Sequence, residues 1–174
     1  MSTASQVALN QPDTPQQHLA LLLDSLQPHS LLCVSMNAVP LLEHWCQDHD
    51  CELITIAELD PLPQLAFDRR FDLVVVADQL EYMAPARGSE VLGLLRNLYT
   101  EHLLVLYQAQ LAPQKLRWQE RDFVALGLKR DASYQQGERS MTLYHYELAA
   151  YNYVRSWNNP RFWANPENWG KYWW

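Results

Sequence analysis

Glycine is scarce in this chain. Only five occur in 174 residues, Gly88, Gly93, Gly127, Gly137 and Gly170, and none lies in the first half. Phosphate- and nucleotide-binding loops use glycine where the backbone must approach a ligand closely or take a positive φ. Neither G-x-G-x-x-G nor G-x-x-x-x-G-K occurs, so the standard dinucleotide and P-loop sites are excluded. Cysteine is also sparse. Cys33, Cys46 and Cys51 cannot all pair and read as reduced thiols. No apolar run approaches the ~18 residues of a membrane span. Residues 1–13 are polar and lack the basic-then-apolar pattern of a leader. The expectation is a soluble, cytoplasmic protein without membrane contact. Positive charge is short as well: the formal net charge of −7 argues against broad nucleic-acid binding. No G-x-S-x-G elbow appears, and none of the six histidines sits in a recognisable nucleophile context.

What is present is an alternation of helix and strand patterns. Thr14-Pro15 is a helix start, with Thr as cap and Pro at the first position. Leu19, Leu22, Leu23 and Leu26 follow at helical spacing up to Pro28. Leu31 to Val34 reads as a short buried strand, and Ala38, Leu41, Leu42, Trp45 and Cys46 as a helical stripe. Glu52 to Ile56 is a second strand, followed by a loop through Pro61 and Pro63. Phe71 to Asp78 is apolar on both faces, as a central parallel strand should be. A helix with Val91, Leu92, Leu95, Leu98 and Tyr99 on one face comes next, then a strand from Leu103 to Tyr107. Pro113 opens a less regular helix ending near Gly127, and Leu128–Tyr134 and Ser140–Glu147 form a closing hairpin. The fold class predicted is α/β, with a mostly parallel sheet and an antiparallel C-terminal hairpin. The organisation predicted is a disordered N-terminus over 1–13, one α/β domain over 14–148, and a tryptophan-rich extension over 149–174.

The text FDLVVVADQLEYMAPARGSEVLGLLRNLYTEHLLVLY, residues 71–107, resembles the class I S-adenosylmethionine-dependent methyltransferases. In that family an F-D-L-V strand ending in a polar residue is followed by a loop, an amphipathic helix and a second apolar strand. Phe123–Leu128 and the closing hairpin are similar to the family's C-terminal end. The resemblance implies a Rossmann-like sheet and a small, degenerate bacterial family without an assigned activity. Two departures accompany it. The turn after the first strand, Val34 to Pro40, has no glycine, so its side chains are expected to occupy space that a cofactor needs. The stretch between that strand and Phe71 is too short for two further β-α units. If residues 52–56 match the family's second strand, Glu58 would hold the ribose. If they match the third, Asp60 would sit near the adenine.

Three motifs carry competing readings. Asp78, Glu81 and Tyr82 follow the clearest strand, at the edge where α/β folds place ligands, and read either as a ligand contact or as a solvated loop. His44, Cys46, His49 and Cys51 invite a zinc reading, but no second ligand pair exists, so no metal is expected. Asn159-Pro160-Arg161-Phe162 imitates the acceptor motif of adenine methyltransferases but lies some 80 residues past its proper place.

Five of the seven tryptophans fall in the last 18 residues, three of them at six-residue steps: Trp157, Trp163 and Trp169, with Trp173 and Trp174 at the end. With Phe162 they form an aromatic tail that carries three basic residues and one acidic one against an acidic body. The tail reads as a clasp over its own domain or its cleft, as an arm exchanged in a homodimer, or as a surface for a protein partner. The leading expectation is a binding or regulatory protein that has lost catalysis and holds no cofactor. The alternative is an active small methyltransferase using S-adenosylmethionine. In that case Ser35, Asn37, Glu58, Asp60 and Asp78 are the candidate cofactor contacts, and Asp78 to Tyr82 line the acceptor side.

Overall fold

The structure, a computed structural model, describes residues 12–151. It is built on one six-stranded sheet in the order β2-β1-β3-β4-β6-β5. The parallel strands are β1 (Ser30–Ser35), β2 (Glu52–Ile56), β3 (Leu73–Ala77) and β4 (His102–Tyr107). The antiparallel pair is β5 (Lys129–Gln136) and β6 (Arg139–Glu147), with β6 lying against β4. Gly137, at φ 62°, supplies the left-handed residue that the tight hairpin turn requires.

Each helix starts as its sequence dictates. The Thr14 hydroxyl accepts from the Gln17 N–H at 3.2 Å, Pro15 takes the first position of α1 (Pro15–Leu26), and Gln27 at φ 46° ends it. Proline also opens α2 (Pro40–Asp48) and α3 (Pro85–Leu94). In α4 (Glu120–Ala125) a reciprocal Gln119–Asp122 capping box does the same work. A final turn, α5 (Leu148–Tyr151), follows β6.

The period-2 alternation of the strands divides the core into two layers. Leu32, Val34, Val74, Val76, Leu103 and Val105 face one side, under α3 and α4, with Trp118, Phe123 and Tyr144. Leu31, Cys33, Leu73, Val75 and Leu104 face the other, under α1 and α2, with Leu19, Leu23, Leu42 and Trp45. All five residues of β3 are buried, each large side chain contributing about 1.5–3 kcal/mol by leaving water. A three-layer α/β/α sandwich results.

Three expectations change. Leu98 does not share the buried face with Val91 and Leu95. Residues Leu95–Tyr99 form a π-turn, which rotates Leu98 outward to 55% exposure. The helix expected from Pro113 to near Gly127 is broken into one 3₁₀ turn, Gln114–Leu116, and the short α4. The clearest strand is shorter than Phe71–Asp78: Phe71 makes only an isolated bridge to Thr100, and Asp78 has left the strand. The shortage of β-α units, by contrast, is as read. Between β1 and β3 the chain makes one strand, β2, and β2 ends the sheet on that side.

Candidate functional site

After β1 the chain crosses to β2 on one side, and β3 and β4 then add on the other. The strand order therefore reverses between β1 and β3, and α/β folds open a crevice at the carboxyl edge of such a point. A cleft of about 380 Å³ lies there. The ends of β1, β3 and β4 contribute Ser35, Ala77, Asp78, Leu106 and Gln108, and β6 contributes Met141. The turn after β1 adds Asn37, Ala38 and Val39, while α1 closes one wall with Gln16 and Leu19. The sequence gives no local signal for the parts played by α1, Gln108 and Met141, because they reach the cleft only through tertiary packing.

The glycine-free turn does not close this cleft. The Ser35 hydroxyl folds back to donate to the Asn37 carbonyl at 2.7 Å, and the Met36 N–H donates to the Asp78 carbonyl at 3.3 Å. No residue from Ser35 to Val39 takes a positive φ. The strained residue is instead Asp78, at φ 46°, on the neighbouring strand end. A non-glycine residue there costs about 1–2 kcal/mol, and such strain concentrates at functional sites. Two side-chain contacts hold it: the Asn37 amide donates to one carboxylate oxygen, and the Tyr82 hydroxyl donates to the other at 2.9 Å. The carboxylate raises the Tyr82 hydroxyl above its usual range. The expectation that no cofactor is held therefore finds no support in the geometry of the turn.

Glu81, read from sequence as part of the same contact, has a different role. It is fully buried, accepting from the Gln79 N–H at 3.0 Å and the Gln108 N–H at 2.7 Å. It ties the chain after β3 to the chain after β4. Burial raises its carboxyl above the ordinary value, against the lowering effect of the backbone N–H groups it accepts from.

Glu58 and Asp60 do not line the cleft. Residues 52–56 form β2, which pairs directly with β1, and Glu58 follows its carboxyl end. Gln79 fixes that loop from below: fully buried, it donates its amide to the carbonyls of Glu58 and Leu59, both at 3.0 Å. Asp60 is held in a bidentate pair with Arg87 at 2.7 and 3.2 Å, which lowers its carboxyl below the usual range.

The H-W-C-Q-D-H-D-C stretch does not converge on a point. His49 stacks on Trp45 at 4.1 Å, and Cys46 and Cys51 are buried in the core with Cys33. Burial pushes the Cys33 and Cys51 thiols up to about 12. Among the described residues, no group of three His, Cys, Asp or Glu is placed to hold a metal, and no helix is long and apolar enough to cross a membrane. The tail residues Trp157, Phe162, Trp163, Trp169, Trp173 and Trp174 lie outside the described residues. The point from which the tail continues is described: Leu148 donates to the Glu101 carbonyl at 2.9 Å, at the amino edge of the sheet, opposite the cleft.

A family model matches residues 13–174. The chain belongs to DUF6231, a family of unknown function. The matched span runs from the cap of α1 through the tryptophan repeats, so the tail is part of what defines DUF6231. No curated protein matches the chain. Among solved structures it is similar to the N-methyltransferase NodS from Bradyrhizobium japonicum WM9 in complex with S-adenosylhomocysteine. That pair is 16% identical at a TM-score of 0.48, covering 78% of this chain and 88% of that one. It is similar also to magnesium protoporphyrin IX methyltransferase from Synechocystis PCC 6803 with bound S-adenosylhomocysteine. Here the identity is 13% and the TM-score 0.48, covering 75% of this chain and 81% of that one. The sheet of this DUF6231 member is a switched one, four parallel strands followed by an antiparallel closing hairpin.

Proposed function

We propose that the protein binds S-adenosylmethionine at the carboxyl-edge cleft and serves as a small methyltransferase. The observation that carries this reading is the cleft itself, open at the switch point of the sheet and faced by the strained, doubly braced Asp78. The residues around it fit the cofactor chemically. Ser35 and Asn37 offer polar groups to an amino-acid end beside the first turn of α2. Glu58, as a carboxylate beyond β2, can accept from two ribose hydroxyls, and Leu59 beside it is 57% exposed and apolar, a surface suited to a purine face. Once bound, the cofactor supplies an activated methyl group. The chain's own contribution is to hold the Glu58 loop through Gln79, to hold the ends of β3 and β4 in register through Glu81, and to keep the Asp78 carboxylate fixed at the mouth.

A second reading keeps the binding or regulatory role without catalysis. It is supported by the side-chain-bearing turn Asn37–Val39, which stands where a glycine turn would bring backbone close to a ligand. The tail would then serve a protein partner or a second copy.

The test is calorimetric titration of S-adenosylmethionine and S-adenosylhomocysteine into the full-length chain. Micromolar affinity is expected, weakened about tenfold or more by Glu58→Ala, which removes the ribose acceptor. Baseline heats with both ligands would overturn the cofactor reading.

A further inference from the structure

Charge is distributed unevenly around the cleft. None of its described lining residues is Lys, Arg or His, and its one charged member is Asp78. A second carboxyl, Glu81, lies just behind: the Gln108 N–H donates to it, and Gln108 itself lines the cleft. The walls are apolar, with Leu19 from α1, Val39 from the turn, Leu106 from β4 and Met141 from β6. Among the described lining residues an anionic ligand would find no cation to pair with, and it would meet the Asp78 carboxylate. A phosphorylated, carboxylated or nucleic-acid acceptor is therefore disfavoured.

We propose that this cleft admits an amine, a compact apolar body with a protonatable nitrogen that docks at Asp78. The proposal rests on the methyltransferase reading and assigns Asp78 to the acceptor rather than to the cofactor. The Asp78 carboxylate has acceptor capacity beyond the two bonds it already receives from Asn37 and Tyr82, since two oxygens offer about four lone-pair sites. Those two bonds fix its orientation, and the left-handed backbone sets the residue out of the line of β3. The apolar walls select the body of the ligand, and the carboxylate selects its charge. The volume, about 380 Å³ and shared with the cofactor's methionine end, keeps the acceptor small.

The test uses the full-length chain, first titrated to saturation with S-adenosylhomocysteine. 2-Phenylethylamine and 3-phenylpropionate are then titrated calorimetrically, as probes of similar body and opposite charge. The amine is expected to bind at least about tenfold more tightly than the acid. Asp78→Asn keeps a residue that tolerates the left-handed backbone, so the fold is preserved. This variant, likewise saturated with S-adenosylhomocysteine, should erase the preference between amine and acid. If S-adenosylhomocysteine binds but amine and acid bind equally, or neither binds, the amine assignment is overturned and the cofactor reading stands. If S-adenosylhomocysteine itself does not bind, the cofactor reading fails, and the acceptor assignment falls with it.

Discussion

Replacing Glu81 by glutamine changes one oxygen into an NH₂ group at a fully buried position. The carboxylate receives two backbone N–H donors, one on each oxygen, at 3.0 and 2.7 Å. An amide can accept only one of them, so the other N–H faces a second donor. An unsatisfied buried donor costs about 1–3 kcal/mol, and removing the buried negative charge gives part of that back. The expected net loss at pH 7 is smaller than that gross cost, about 1 kcal/mol, a fall in Tm of roughly 2–4 °C. The sign of the pH dependence follows from burial, which raises the Glu81 carboxyl above 4.5 in the folded state. Its contribution is fully present below 4.5 and is lost as pH rises through the raised folded value. The wild-type advantage over Glu81→Gln should therefore be largest in acid and narrow toward neutrality. Urea denaturation of both proteins between pH 4.5 and 7.5, with m-values checked for constancy, measures it. A variant as stable as wild type at every pH, or a gap that widens as pH rises, would refute the reasoning.

Two further outcomes are expected. A Cβ on Gly88 would lie 2.5 Å from the Trp118 ring and 3.1 Å from Leu80, while one on Gly93 would meet nothing within 4 Å. Both substitutions to alanine gain about 1 kcal/mol of helix propensity, but the Trp118 ring is 3% exposed and packs on Phe123, so it cannot yield. Gly88→Ala should lose about 1–2 kcal/mol net, and Gly93→Ala should gain up to about 1, read from denaturation midpoints. His145 is held below its ordinary 6.5, chiefly by burial, with Asp131 at 3.7 Å opposing and His102, Glu147 and His18 also facing it. A depressed histidine leaves the unfolded chain to take the proton first, so stability should fall as pH drops below about 6.5. His145→Gln should flatten that slope between pH 7 and 5, and an unchanged slope would place its origin elsewhere.

The parallel core was legible because its signal is local. The β3 run Leu73–Ala77 is apolar on both faces, and only a strand covered from both sides tolerates that. The loss of a β-α unit was equally readable, since chain length bounds how many elements fit between Leu31 and Phe71. The π-turn at Leu95–Tyr99 was not legible: one extra residue per turn leaves apolar spacing almost unchanged while turning Leu98 to solvent. In the site, Asp78 was found by its place at the strand end, but its left-handed backbone and its bond to Asn37, 41 residues away, exist only in the folded chain. Glu81 illustrates the converse. Its neighbour in sequence, Tyr82, is 42% exposed, and nothing local distinguishes a carboxylate that faces solvent from one that knits two strand ends together. The glycine-free turn was legible only in part. Sequence shows that side chains are present there, and only the backbone path shows that Asn37, Ala38 and Val39 line the cleft.

The most direct test of the cofactor assignment is a map of backbone amide shifts in isotope-labelled full-length protein as S-adenosylhomocysteine is added. Cofactor binding as proposed predicts shifts concentrated at Ser35, Asn37 and Ala38 in the cleft and at Glu58 in the loop beyond β2. Shifts confined to the amino edge around Arg70, Glu101 and His102, or none at millimolar ligand, would contradict it.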